Sequence, residues 1–102
     1  MLVHNHIEID EEKLAAICRR YHVRELALFG SILRNDFRDD SDIDVLVEFE
    51  PDARIGFIAL QDFNEELESF LGRPVDVVTR NGLNRFLREP VLSSARVVYA
   101  TG

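Results

Sequence analysis

Tryptophan is absent from this chain of 102 residues, cysteine and methionine occur once each, and Lys13 is the only lysine. A single cysteine, Cys18, cannot close an internal disulfide, and it excludes zinc sites built on four cysteines or on two cysteines and two histidines. The reducing cytosol is therefore the expected compartment. Positive charge is scarce: 12 Lys+Arg stand against 19 Asp+Glu, for a net charge of −7. Gripping a nucleic-acid backbone or an anionic membrane surface requires clustered lysine and arginine, so neither is an expected partner. Long apolar runs are missing too. The longest stretch without a charge is Leu26–Leu33, far short of the roughly 20 residues of a membrane span. No cationic segment followed by an apolar one marks a secretory leader. There is no repeat and no linker rich in proline, glycine or serine. Residues 1–102 read as one domain, and 46% hydrophobic residues are enough for a core.

Periodicity predicts an alternation of helices and strands. Residues 1–9 read either as a flexible arm or as a short strand. Asp10 is placed to cap a helix over Glu11–Tyr21, with Glu11 and Glu12 in its first turn. Leu14, Ile17, Cys18 and Tyr21 share one face of it. Val23–Phe29 is a buried strand ending at Gly30, and Ser31–Arg34 has room for a single turn. Asp42–Phe49 is a second strand, with Ile43, Val45 and Val47 on one face and Asp42, Asp44 and Leu46 on the other. Ile55–Leu71 is the longest helical pattern. Its apolar stripe is Leu60, Phe63, Leu67, Phe70 and Leu71, with Asp62, Glu65, Glu66 and Glu68 on the solvated side. Gly72 and Pro74 stop it. Val75–Thr79 is a third strand, Asn84–Glu89 and Pro90–Ser94 are two short helical pieces, and Arg96–Ala100 is a fourth strand. The class is α/β (α+β), a small mixed sheet of about four strands packed with helices.

Carboxylates crowd one region. Between Asp36 and Asp52 there are eight, opposed only by Arg38. Asp39 and Asp40 fit a solvated loop, and the histidines His4 and His6 fit a terminal segment better than a metal site. Asp42 and Asp44 are different. They open a strand of Ile, Val and Leu, two positions apart, so both side chains point the same way with Cα atoms about 6.5–7 Å apart. Two carboxylates held together repel unless a cation lies between them, and a hard divalent cation prefers oxygen ligands. A calcium-binding EF-hand loop does not fit, because its glycine position is Val45 and its bidentate glutamate position is Pro51. Gly30-Ser31, at a strand end, offers close backbone approach, a hydroxyl and exposed N–H groups suited to phosphate. The pair lacks the Gly-Lys-Ser/Thr of a Walker loop and the Gly-x-Ser-x-Gly of a nucleophile elbow.

Taken in order, Gly30-Ser31, Arg34, Asp42-Ile43-Asp44 and a distal Asp76 in Val-Asp-Val-Val resemble the DNA polymerase β-like nucleotidyltransferases, and more closely the minimal nucleotidyltransferase (MNT) family. The resemblance runs from the first helix to the last strand. It departs from the family pattern at Asn35, where many relatives have glycine. It implies a polymerase β-like core in which Asp42, Asp44 and Asp76 are catalytic and hold Mg²⁺, two ions in all, while Gly30, Ser31 and Arg34 bind the phosphates of ATP. Metal between like charges also accounts for an acidic protein that binds a polyanion.

A chain of this length has room for the catalytic core and for no separate acceptor domain. The MNT resemblance implies a partner protein of the HEPN class, a helical RNase toxin, and transfer of AMP from ATP to a tyrosine hydroxyl of it, this chain being the antitoxin in a hetero-oligomer. The competing reading is an antitoxin that neutralises its partner by binding alone. Transfer to a small acceptor such as an aminoglycoside is a third, disfavoured by the missing acceptor domain.

Overall fold

The structure is a computed structural model that describes residues 1–4, 7–34, 37–38, 41–82 and 85–101, with the backbone alone for residues 3, 4, 81 and 85–89. Asp36, Asp39, Asp40, Asn35, His6 and Asn84 lie outside the described residues.

Strands β1 (Leu2–His4) and β2 (Ile7–Glu8) form an antiparallel hairpin, closed where Ile9 N–H donates to Met1 O at 2.7 Å. Of the two alternatives, the strand holds for residues 2–4 and 7–8, and Ile7 and Ile9 are buried. Helix α1 (Glu11–Arg20) follows. Asp10 caps it, its carboxylate accepting the N–H groups of Glu12 at 3.1 Å and Lys13 at 3.2 Å. Its buried face is Leu14, Ile17 and Cys18. Strand β3 (Val23–Phe29) leads into a 3₁₀ turn over Gly30–Leu33, then to β4 (Ile43–Phe49), helix α2 (Phe57–Leu71), β5 (Val75–Thr79), a 3₁₀ turn over Arg80–Gly82, helix α3 (Arg85–Ser94) and β6 (Arg96–Ala100).

Helix α1 ends at Arg20, with Tyr21 as its C-cap, and β4 begins at Ile43, each one residue inside the range read from the sequence. Helix α2 starts at Phe57, not Ile55, because Gly56 is extended at φ −82°, ψ −179°. Residues 85–94 form one helix with Pro90 inside it, not two pieces. Pro90 is the sixth residue of the helix, past the four N-terminal N–H groups that lack helical partners, so it removes one i→i−4 bond from the helix. Ser94 Oγ returns a bond to Pro90 O at 2.9 Å.

The main sheet has the order β5-β4-β3-β6. β4 and β5 run parallel, and the other pairs are antiparallel. The helix α2 supplies the crossover that a parallel pair needs. Leu26 and Leu28 of β3 and Ile43, Val45 and Val47 of β4 face α1 and α2, and with Phe63 and Leu67 they form the core. Tyr21 and Phe49 pack their rings on Phe63 at 5.3 and 6.0 Å between centroids. Gly72 ends α2 in the left-handed region, φ 72°, donating its N–H to Glu68 O at 2.8 Å. The opposite face of the sheet carries Asp44, Leu46 and Glu48 of β4 and Asp76 of β5. No helix among the described residues is long and apolar enough to cross a membrane.

Candidate active site

The predicted residues converge at one end of that opposite face. Phe29, the last residue of β3, pairs with Asp44, and Asp44 pairs with Asp76 on the parallel neighbour. The carboxylate-bearing positions of β4 and β5 therefore stand side by side on one face, although 32 positions separate them in sequence. Asp42 immediately precedes β4 and is exposed, Asp76 is exposed, and Asp44 between them is half-buried.

The chain closes over Asp44 at Gly30. Gly30 has φ +76°, and a Cβ there would lie 3.2 Å from Asp44 Cγ and collide with Oδ2. Only glycine combines that backbone with that approach. The 3₁₀ turn places the Ser31 backbone N–H on the Asp44 carboxylate, while Ser31 Oγ stands 3.5 Å from Asp42 O. Arg34 closes the turn, its N–H donating to Ser31 O at 2.9 Å, and its side chain is exposed.

Electrostatics single out one carboxyl. Burial raises the Asp44 pKa above its ordinary value, and the charges of Asp76 and Asp42 raise it further; the Ser31 N–H and Arg34 pull the other way. Concentrated negative potential of this kind favours a cation. The donors are all carboxylate oxygens, which suit a hard divalent ion such as Mg²⁺. As placed, no three His, Cys, Asp or Glu side chains among the described residues close around a common point. Asp42 and Asp76 are both exposed, which leaves their side chains room to turn towards an ion.

Several supports were absent from the sequence reading. Before β4, Arg38 N–H donates to Ser41 Oγ at 3.0 Å and Ser41 N–H returns a bond to Arg38 O at 3.0 Å, fixing the approach to Asp42. Arg73 reaches Arg38 O at 3.3 Å and lies over the Phe37 ring at 5.1 Å. Ile43 N–H donates to Pro74 O at 3.0 Å, starting the β4–β5 pairing next to the site. Glu68, expected to be solvated, instead accepts the Val75 N–H at 2.9 Å, one residue before Asp76. Glu66 keeps to the solvated side, in an exposed ion pair with Arg20 of α1. The hydrophilic helix pattern could not show which carboxylates turn back onto the sheet.

Comparison with known proteins bears on the family and the fold. Residues 11–99 match the nucleotidyltransferase domain family. The protein adenylyltransferase MntA of Thermococcus cleftensis is 40% identical over 81 residues, covering 78% of this chain and 77% of the relative. A solved toxin–antitoxin complex with AMP-PNP superposes with a TM-score of 0.72 at 24% identity, covering 91% of this chain and 75% of that one. A second, of the tri-AMPylated HEPN toxin of Shewanella oneidensis with its MNT antitoxin, gives a TM-score of 0.64 at 25% identity, covering 89% and 70%.

Proposed function

The chain belongs to the nucleotidyltransferase domain family and has its polymerase β-like fold. From that premise, we propose that it is an Mg²⁺-dependent protein adenylyltransferase that moves AMP from ATP to a hydroxyl, a tyrosine hydroxyl in our reading, of a HEPN-type toxin, and so acts as an antitoxin. The pairing of Asp44 with Asp76 beneath the Gly30-Ser31 turn carries this reading. It is supported by the relative named a protein adenylyltransferase and by neighbours that are antitoxins bound to toxins, one with AMP-PNP and one with an AMPylated toxin.

Each residue then has a task. Gly30 and Ser31 present the turn to the β- and γ-phosphates, with Arg34 at its far end. Asp42, Asp44 and Asp76 would hold the metal. Bound Mg²⁺ would supply charge neutralisation for the triphosphate. Asp76 lies on the edge strand β5, the accessible side for a macromolecular acceptor. There it orients the acceptor hydroxyl and takes its proton. The hydroxyl oxygen bonds to the α-phosphorus as the bond from that phosphorus to the bridging oxygen breaks; pyrophosphate leaves and the acceptor carries AMP. Because Asp76 is exposed, it passes the proton on to water.

The test is intact-mass spectrometry of the toxin encoded beside this chain, co-expressed with wild type or with Asp42→Asn. A gain of one or more AMP units with wild type alone is expected. An unmodified toxin that is still bound and inactive in both cases would replace this reading with neutralisation by binding.

A further inference from the structure

The turn over Gly30–Leu33 is held by the close approach of Gly30 to Asp44 and by one buried side chain. It has no side-chain cap at its N-terminus. The Ser31 hydroxyl contact to Asp42 O is long, at 3.5 Å. Gly30 has no side chain to anchor, Ser31 is half-buried, and Leu33 is 36% exposed. Ile32 is the exception: it is the one buried residue of the turn, at 1% exposure, and it belongs to the same apolar cluster as Ile7, Ile9, Ile43 and Val45. The turn packs between β4 on one side and the N-terminal strand β1 on the other. The hairpin that carries β1 is itself anchored through Ile7 and Ile9 in that cluster.

Side chains of consecutive residues in so short a turn leave in different directions. With Ile32 driven into the core, Ser31 is directed towards the Asp42–Asp44 end of β4, where its N–H meets the Asp44 carboxylate. We propose that Ile32 is the positioning residue of the phosphate-binding turn, with the β1–β2 hairpin as the outer wall of its socket. The inference rests on the reading of Gly30-Ser31 as the nucleotide turn. It makes residues 1–9, remote in sequence from every predicted site residue, part of the apparatus for ATP affinity. Shaving Ile32 loosens the turn against the sheet, while Asp42, Asp44 and Asp76 keep their strand positions. Nucleotide affinity should fall more than turnover does.

The experiment is calorimetric titration of the full chain with AMP-PNP and Mg²⁺, together with KM for ATP and kcat for AMP transfer. Ile32→Ala should weaken AMP-PNP binding and raise KM about ten-fold, equivalent to about 1.4 kcal/mol, with kcat within about two-fold. Ile32→Leu, which keeps the volume, should restore binding to within about two-fold. Ile17→Ala is the control: the same kind of truncation in the same core, but on α1, should destabilise the fold comparably and leave affinity unchanged. Should Ile32→Ala not fold, Ile32→Val against Ile17→Val repeats the comparison with a smaller, two- to three-fold effect expected at about 0.5 kcal/mol. Equal affinity in the position-32 and position-17 variants would overturn the assignment. A wild-type chain that binds no AMP-PNP would instead overturn the nucleotide reading itself, and the positioning role with it.

Discussion

Two glycines share a backbone conformation and differ in what surrounds them, which makes a controlled pair. Gly30 has φ +76° and Gly72 has φ +72°. A methyl group placed on Gly72 would have nothing within 4 Å, whereas one on Gly30 meets Asp44 Oδ2, Cγ at 3.2 Å and Cβ at 3.4 Å. Gly72→Ala therefore bears only the left-handed backbone penalty, about 1–2 kcal/mol. Gly30→Ala bears the same penalty and must also push the Asp44 side chain out of its rotamer. That adds about 0.5–1.5 kcal/mol, and the Ser31 N–H contact is lost with it. The two terms together come to about 1.5–3.5 kcal/mol, with the extra cost lowering Tm by several degrees relative to Gly72→Ala, since 1 kcal/mol corresponds to roughly 4–8 °C at this size. Function should separate the pair further. Displacing Asp44 by about 1 Å is enough to lower AMP transfer about a hundred-fold, while Gly72→Ala stays within about two-fold of wild type. Thermal melts followed by single-turnover AMP transfer would measure both. If Gly30→Ala is no less stable than Gly72→Ala and transfers AMP normally, the contact between the turn and Asp44 has no role in either folding or catalysis.

Asp44→Asn should abolish transfer and also reveal a pH-dependent stability term. The folded-state pKa of Asp44 is raised, so the folded chain binds this proton more tightly than the unfolded chain, and wild type loses stability as pH rises from 3.8 through the folded value. The asparagine variant should gain relative to wild type over that interval and hold the gain to neutral pH. Urea melts at pH 3 and pH 7 check this, and a gain confined to the acid side would contradict it. Glu68→Ala should cost about 1–2 kcal/mol by leaving the part-buried Val75 N–H without its acceptor; chemical denaturation measures it, and a change below about 0.3 kcal/mol would show that water replaces the carboxylate. Cys18, whose thiol is pushed up to about 12 by burial, should resist alkylation at pH 8 until the protein unfolds. Labelling at the native rate of a free thiol would show that α1 opens readily.

Local signals are legible where one residue decides. Asp10 marks the start of α1 and Gly72 the end of α2, because a cap needs only its own backbone geometry. The alternation Ile43, Val45, Val47 against Asp42, Asp44 identifies the buried face of β4 without reference to any partner. Gly30, Ser31, Asp42, Asp44 and Asp76 are readable as an ordered set. Their pairing is not, because the register that sets Asp44 beside Asp76 depends on strand order. Nor is the role of Glu68, since reaching Val75 depends on how α2 returns to the sheet. Residues 1–9 read two ways because Ile7 and Ile9 acquire meaning only against Ile32 and the rest of the cluster. Pro90 suggests a break because its missing donor is visible in sequence, whereas the depth at which it enters α3 is not.

The parallel pairing of β4 with β5 also acts as a check on the finished chain. Asp44 is in register with Asp76, and Val45 with Val77. A slip of one residue would turn Asp76 towards the apolar side and bring a valine opposite Asp44. A nascent chain that has made β4 but not yet folded α2 and β5 has two of the three carboxylates and nothing beside them. With Asp76 in the role proposed for it, a misaligned copy should transfer no AMP, and activity should begin only when the crossover has closed.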